Sequence, residues 1–158
     1  MEPKFIVDLN VGRLAKWLRA MGYDTLFPEE AGDNQLVRLA LLENRVLLTR
    51  DQGIVQRRAA RLGQLKVVWL VSTDLAGQLQ QVVRDLQLNL DGGFSRCVRC
   101  NVTLDLVAKE DVAHRLPPYV YQTQTQFMEC GQCQRLYWRG THWVHMMSKL
   151  DRACLRIA

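Results

Sequence analysis

Across its first 90 residues the chain alternates short apolar runs with amphipathic stretches, four times over. Lys4-Phe5-Ile6-Val7 has the character of a short buried strand and ends at Asp8. Val11, Leu14, Ala15, Leu18 and Met21 then recur at helical spacing, with Arg13, Lys16 and Arg19 off that face and Gly22 as the stop. Thr25-Leu26-Phe27 predicts a weak second strand closed by Pro28, and Asp33 opens a second helix carrying Leu36, Val37, Leu39, Ala40 and Leu41. Arg45 to Thr49 is a third strand, followed by Asp51. Ile54, Val55 and residues 58–62 predict a third helix ending at Gly63, residues 66–71 a fourth strand, and residues 74–86 a further helix. Such alternation argues for a parallel sheet covered by helices through right-handed crossovers. The third and fourth runs are continuously apolar, as strands buried on both faces should be.

Periodicity stops at Asn89-Leu90-Asp91-Gly92-Gly93, so the expected division is a domain over 1–90 and a small module over 94–158. Pro117-Pro118 interrupts the module, and an amphipathic segment from His142 to Leu155 is expected to pack back on the first domain. Hydrophobic residues at 48% against 23% charged exclude wholesale disorder. No apolar run reaches the roughly 18–20 residues of a membrane span. The run after Lys4 is too short for a signal peptide, so a cytoplasmic location is expected.

All five cysteines lie beyond residue 96. Cys97/Cys100 and Cys130/Cys133 form two C-x-x-C pairs with 29 residues between them. Two such knuckles complete a tetrahedral four-sulfur shell with no place for water, which is the pattern of structural zinc. A redox C-x-x-C normally follows a strand and opens a helix, and neither pair does so. An iron–sulfur or rubredoxin-type iron centre also uses four cysteines and stays open as an alternative. Cys154 reads as a small apolar residue. His142 and His145 share a helix face, without a second metal being expected. Tyr137, Trp138 and Trp143 either stack on unpaired bases or pack the module onto the first domain.

Charge is unevenly spread. Residues 1–93 hold twelve Lys+Arg against eleven Asp+Glu, and residues 94–158 hold nine against five. The excess of the whole chain, +5, therefore sits mainly in the C-terminal part. Four thiolates and one zinc ion lower the total to about +3, still compatible with a polyanionic partner.

In a parallel sheet every strand ends at one edge, and ligands bind in the crevice outside those carboxyl ends. Asp8 follows the first strand, Asp33 opens the helix after the second, Asp51 follows the third and Asp74 the fourth. Carboxylates gathered at one rim repel one another unless cations compensate, and Mg²⁺ or Mn²⁺ suits oxygen ligands. Helix capping is the competing explanation, strongest for Asp74 and balanced for Asp33. Asp24 reads as structural, and Glu29 and Glu30 as solvated loop charge. Arg13 and Arg50 stand near the rim, where guanidinium groups can hold phosphate. Lys16 and Arg19 either extend a phosphate track or form a solvated helix face.

Three blocks together resemble a known family: Phe5-Ile6-Val7-Asp8 with Gly12-Arg13-Leu14-Ala15-Lys16-Trp17-Leu18-Arg19 and Gly22-Tyr23-Asp24-Thr25; Leu47-Leu48-Thr49-Arg50-Asp51; and the cysteine segments with Tyr137-Trp138-Arg139-Gly140-Thr141-His142. They look like the Mut-seven C-terminal RNase family, a PIN-like nuclease domain fused to a zinc ribbon. The resemblance implies a PIN-like three-layer α/β/α sandwich and metal-dependent RNA cleavage. It carries the family's acids onto Asp8, Asp33 and Asp51, leaves Asp74 as a possible fourth, and has Lys16 where arginine is frequent. The expected function is a ribonuclease with Mg²⁺ or Mn²⁺ at the rim and structural zinc at Cys97, Cys100, Cys130 and Cys133. Arg13, Lys16, Arg19 and Arg50 are the expected RNA contacts. A non-catalytic RNA- or ribosome-binding zinc-ribbon protein is the alternative, and an antitoxin or ribosomal partner stays open.

Overall fold

Phe5, Ile6 and Val7 are all fully buried, although successive side chains of a strand point to opposite faces. Both faces of that strand must therefore be covered. The computed structural model describes residues 2–155, apart from the side chains of residues 142 and 153–155. In it β1 (Phe5–Val7), β2 (Thr25–Leu26), β3 (Val46–Thr49) and β4 (Val67–Trp69) form one parallel sheet in the order β2-β1-β3-β4.

Phe5, Val7 and Leu48 point to one side, into a core with Leu14 and Leu18 of α1 (Arg13–Ala20) and Leu79 and Val82 of α5 (Leu75–Leu86). Ile6 and Leu47 point to the other, against Leu36, Val37 and Ala40 of α2 (Asp33–Leu42) and Ile54 of α3 (Gln52–Val55). A 3₁₀ turn, Leu9–Val11, leads from β1 into α1. Gly12 closes it because a Cβ there would lie 2.3 Å from the Phe27 ring. Gly22, at φ +99°, ends α1 as its position after the helical run predicts.

Two elements depart from expectation. The third helix is broken into α3 and α4 (Arg58–Arg61), with Arg57 extended between them. Gln56, Arg57 and Arg58 offer no apolar side chain that would hold a continuous helix on the sheet, and α4 packs against it only through partly buried Ala59 and Ala60. β4 is an edge strand rather than one buried on both faces, with Trp69 39% exposed. Its free edge is partly closed by a side chain: Gln81 of α5 donates from Nε2 to the Trp69 carbonyl at 2.8 Å and accepts from the Val71 amide at 2.9 Å.

Beyond residue 93 the chain builds an antiparallel sheet in the order β5-β6-β7, from β5 (Asp105–Val107), β6 (Phe127–Glu129) and β7 (Leu136–Tyr137). Two short helices, α6 (Lys109–Val112) and α7 (Pro118–Thr123), lie between β5 and β6. Pro118 takes the first turn of α7, where its missing N–H has no helical partner to lose. The last helix, α8 (Thr141–Leu155), packs back on α5 and α1 as expected. Trp143 and Leu150 are buried in the same core as Trp17, Leu79 and Val82. The Trp143 ring stacks near Trp17, centroids 6.1 Å apart at 11°, and lies 4.4 Å from Phe94. One core thus runs across the 89–93 segment. Trp143→Ala should cost about 3–5 kcal/mol, read as a lower midpoint in urea unfolding. The expectation for Cys154 as a buried apolar side chain falls outside the described residues. No helix among the described residues is long and apolar enough to cross a membrane.

Asp24, in the turn before β2, is structural. It accepts from Arg45 Nη1 at 2.9 Å and from Asn101 Nδ2 at 2.8 Å. Burial alone would raise the Asp24 pKa, but Arg45 and Asn101 outweigh it and hold the carboxyl below its ordinary 3.8. A depressed folded-state pKa gives stabilisation that is complete above 3.8 and lost as pH falls through the folded value. Wild-type stability should therefore fall more steeply below about pH 4 than that of Asp24→Asn. Equal acid limbs in pH-dependent denaturation of the two proteins would contradict this.

Candidate active site and metal centre

The strand order reverses between β1 and β3, because β1 leads to β2 on one side and the chain returns to β3 on the other. Such a switch point opens a crevice at the carboxyl ends of the two strands. Asp8 and Asp51 flank it. Asp8 is 8% exposed, and its amide donates to the Leu48 carbonyl at 3.0 Å. The Thr49 hydroxyl donates to Asp8 Oδ2 at 2.7 Å, and the Leu9 amide donates to Oδ1 at 2.8 Å. Thr49 Oγ also accepts from the Asp51 amide at 2.9 Å. One buried hydroxyl thus ties the two acidic positions together. Thr49 carries no signal in the sequence beyond its place at the end of β3, two residues before Asp51.

Capping accounts for part of the other acids' geometry. Asp51 Oδ1 accepts from the Gly53 amide at 2.8 Å and caps α3. Asp74 accepts from the Gly77 amide at 3.0 Å and from the Ser72 hydroxyl, capping α5. Asp33 is exposed in the first turn of α2, with Gly32 as the cap. No three carboxylates among the described residues bring oxygens within 4.8 Å of one another; the cysteines alone form such a set.

The four basic residues divide into two pairs. Arg13 and Lys16 are exposed on α1. Arg50 instead turns onto main chain, its Nη1 donating to the carbonyls of Leu70 at 3.0 Å and of Val71 and Ser72 at 2.7 Å. It fastens the loop that carries Asp74. Arg19 donates from Nε to the Thr25 carbonyl at 2.8 Å and from Nη1 to the Val98 carbonyl at 2.9 Å. It joins α1 to the first cysteine knuckle. Sequence spacing does not reveal these destinations, since both depend on loops far along the chain.

The cysteine segments repeat one local design. Each first cysteine's carbonyl accepts from the residue after the second cysteine, Asn101 and Gln134, both at 2.9 Å. Those residues adopt left-handed backbone, φ 63° and 59°. The Cys100 amide donates to Cys97 Sγ at 3.3 Å, and the Cys133 amide to Cys130 Sγ at 3.5 Å. The four sulfurs lie within 4.8 Å of one another, and none is in a disulfide. The Cys97–Cys133 sulfur separation is 3.8 Å. That matches the edge of a tetrahedron with metal–sulfur bonds of about 2.3 Å, so the cluster is a possible zinc site.

Tyr137, buried in the module, accepts at its hydroxyl from the Val98 amide and lies 3.1 Å from Cys97 Sγ. Burial alone would push the Cys97 thiol up, but hydrogen bonds from Tyr137 and from the amides of Cys100 and Arg99 bring it down to about 6. Cys100 moves the other way, up to about 12, because burial and the neighbouring sulfurs disfavour a second negative charge, which a bound cation would offset to give the thiolates a zinc site needs. Tyr137 is itself raised above its ordinary 10.0, by burial and by Cys97. Asn101 has a second role. Its side chain accepts from the Thr25 amide at 3.0 Å while donating to Asp24, so the knuckle grips the start of β2.

The family model described as the Mut7-C RNAse domain matches residues 3–150. The chain belongs to that family. The match spans both the parallel sheet and the cysteine cluster, so the Mut7-C RNAse domain includes both. Membership points to a nuclease-like, RNA-related function. No curated protein and no solved structure matches the chain.

Proposed function

We propose that this Mut7-C chain is a metal-dependent ribonuclease with a PIN-like sandwich, hydrolysing RNA phosphodiester bonds at the carboxylate rim. The observation that carries the reading is the link Asp8–Thr49–Asp51 at the switch point of the sheet. Buried carboxylates are costly without compensating charge or hydrogen bonds, and Asp8 has two neutral donors and no ion pair among the described residues. Mg²⁺ and Mn²⁺ fit this donor set, since Mg²⁺ is commonly held by one or two carboxylates completed by water and phosphate oxygens. Such an ion lowers the pKa of bound water and offsets charge that develops on the phosphoryl oxygens.

The chain's own residues then have separate tasks. Asp8 and Asp51 hold the cation, and Thr49 fixes the Asp8 carboxylate in orientation. Asp33 is the further acid on the β2 side, and Asp74 a fourth that also caps α5. Arg13 and Lys16 engage phosphate directly. Arg50 and Arg19 contribute by holding the Asp74 loop and the first knuckle. Zinc at Cys97, Cys100, Cys130 and Cys133 is structural, because a four-sulfur shell leaves no open position.

The test is incubation of labelled single-stranded, structured and transfer RNAs with Mn²⁺ or Mg²⁺, wild type beside Asp8→Asn/Asp51→Asn. Metal-dependent products that vanish in the variant are expected. The variant is a sharper control than a chelator, which also competes for the cysteine site. The capping contacts of Asp51 and Asp74 favour one second reading, a non-catalytic RNA-binding zinc-ribbon protein. Intact RNA throughout, with salt-sensitive binding retained, would support that reading instead.

A further inference from the structure

We infer that the groove between α1 and the cysteine module is a subsite for one unpaired RNA nucleotide. The inference rests on RNA as the ligand, but not on cleavage. The groove, about 290 Å³, is lined by Lys16 from α1 and by Arg135, Tyr137, Trp138, Phe94 and Trp143 among others. That volume lies at the small end of ligand pockets, suited to one base with its sugar.

Three observations select the occupant. The groove combines aromatic walls with two exposed cations contributed by the two elements that form it. The Arg135 guanidinium already lies 5.8 Å above the Tyr137 ring, leaving a flat cationic surface at the mouth. No carboxylate is among its described lining residues, whereas the larger cleft beside α8 is lined by Asp91 and Asp151. Aromatic faces with flanking cations are what single strands use for sequence-tolerant binding, and a base inside a duplex cannot present its face.

Position supports the same occupant. Arg13, at the start of α1, lines a separate groove with Asn10 and Phe27 just after β1. Lys16 lies one helical turn further along, about 5–6 Å away at the Cβ atoms. A strand whose phosphates follow Arg13 and Lys16 runs from the rim to the aromatic groove. Of the aromatic side chains here, Tyr137 and Trp143 are buried, and half-buried Phe94 is packed between them, 4.4 Å from Trp143 and 6.0 Å from Tyr137. Trp138 is half-buried and its ring contact, with Phe127 at 6.2 Å, lies outside the groove lining, so Trp138 is the ring left to receive a base.

The test is fluorescence anisotropy of a short labelled single-stranded RNA on the zinc-loaded full chain, without added Mg²⁺ or Mn²⁺. A same-sequence duplex and an oligonucleotide with abasic sites run in parallel. Trp138→Ala should weaken single-strand binding about tenfold or more, leave duplex binding unchanged, and abolish the preference for bases over abasic sites. Trp138→Phe should restore most of the loss. Lys16→Ala/Arg135→Ala changes only exposed side chains, so it remains informative should Trp138→Ala fail to fold. It should lower the salt dependence of single-strand binding by roughly 0.7 for each cation removed. Wild-type binding without preference for unpaired bases would overturn the inference, as would variants that bind the single strand like wild type. Loss of cleavage in Asp8→Asn beside unaffected binding in the groove variants would reject the groove and keep the nuclease. Groove-dependent binding with no cleavage by wild type would do the reverse.

Discussion

Asp8→Asn is expected to slow RNA hydrolysis by at least about 100-fold while changing stability by no more than about 1 kcal/mol. The two expectations have different origins. Asparagine has nearly the same shape, and its Oδ1 can keep the bond from the Leu9 amide. Its Nδ2 would face the Thr49 hydroxyl, which donates to Asp8 and accepts from the Asp51 amide. A hydroxyl oxygen has a second lone pair, so the contact can reverse direction at small cost. The negative charge, however, is gone, and a neutral amide is a poor ligand for a hard cation. The measurements are single-turnover cleavage with Mn²⁺ and a urea melt of the same preparation. Wild-type turnover in a clean preparation of the variant would end the assignment of Asp8. A collapse in stability would instead identify Asp8 as a cap for the Leu9–Val11 turn.

Removing zinc from the proposed four-cysteine site, or replacing one of the cysteines as in Cys97→Ser, should have the largest effect on the fold. Structural zinc in small domains is worth on the order of 10–16 kcal/mol of binding energy, comparable to or above the net stability of a whole domain. The strands of the module are only two or three residues long, and β5 exposes Asp105 and Leu106. The module's buried apolar side chains form two small clusters, Met128 and Tyr137 beside the cysteines and Phe127 with Val112 and Leu116 on the other side. The effect should not stop at the module. Asn101 holds the Thr25 amide and Asp24, and Arg19 holds the Val98 carbonyl, so loss of the knuckle releases β2 and the end of α1. A zinc-depleted chain should lose protection from amide exchange in β2 as well as in β5–β7. Release of stoichiometric zinc with both regions still protected would show that the cysteine cluster is dispensable for the fold.

The parallel sheet was legible because β1 and β3 are continuous apolar runs, which strands covered on both faces require. The C-x-x-C spacing was legible for an equally local reason, since three residues of separation fix a knuckle wherever it occurs. Other features depended on partners the sequence does not place. The 66–71 run reads as a buried strand, yet β4 is the last strand of the sheet among the described residues and Trp69 meets solvent. Residues 105–107 give no strand signal, because Asp105 and Leu106 are exposed and Val107 alone of the three packs against an apolar cluster, beside Phe127 of β6. At the rim, the placement of Asp8 and Asp51 just after β1 and β3 followed from the apolar runs alone. Thr49 as their link, and the main-chain destinations of Arg19 and Arg50, required the tertiary structure.

The continuous core between the two halves bears on how the chain would respond to a cut. Residues 89–93 join the halves in sequence, but Trp143 and Leu150 lie among Trp17, Leu79 and Val82, and Arg139 Nη2 donates to the Gly93 carbonyl. A protease nick in that segment would leave two fragments still bound through the buried surface. Expressed apart, neither fragment would have a complete interior, and mixing them is a route to fragment complementation.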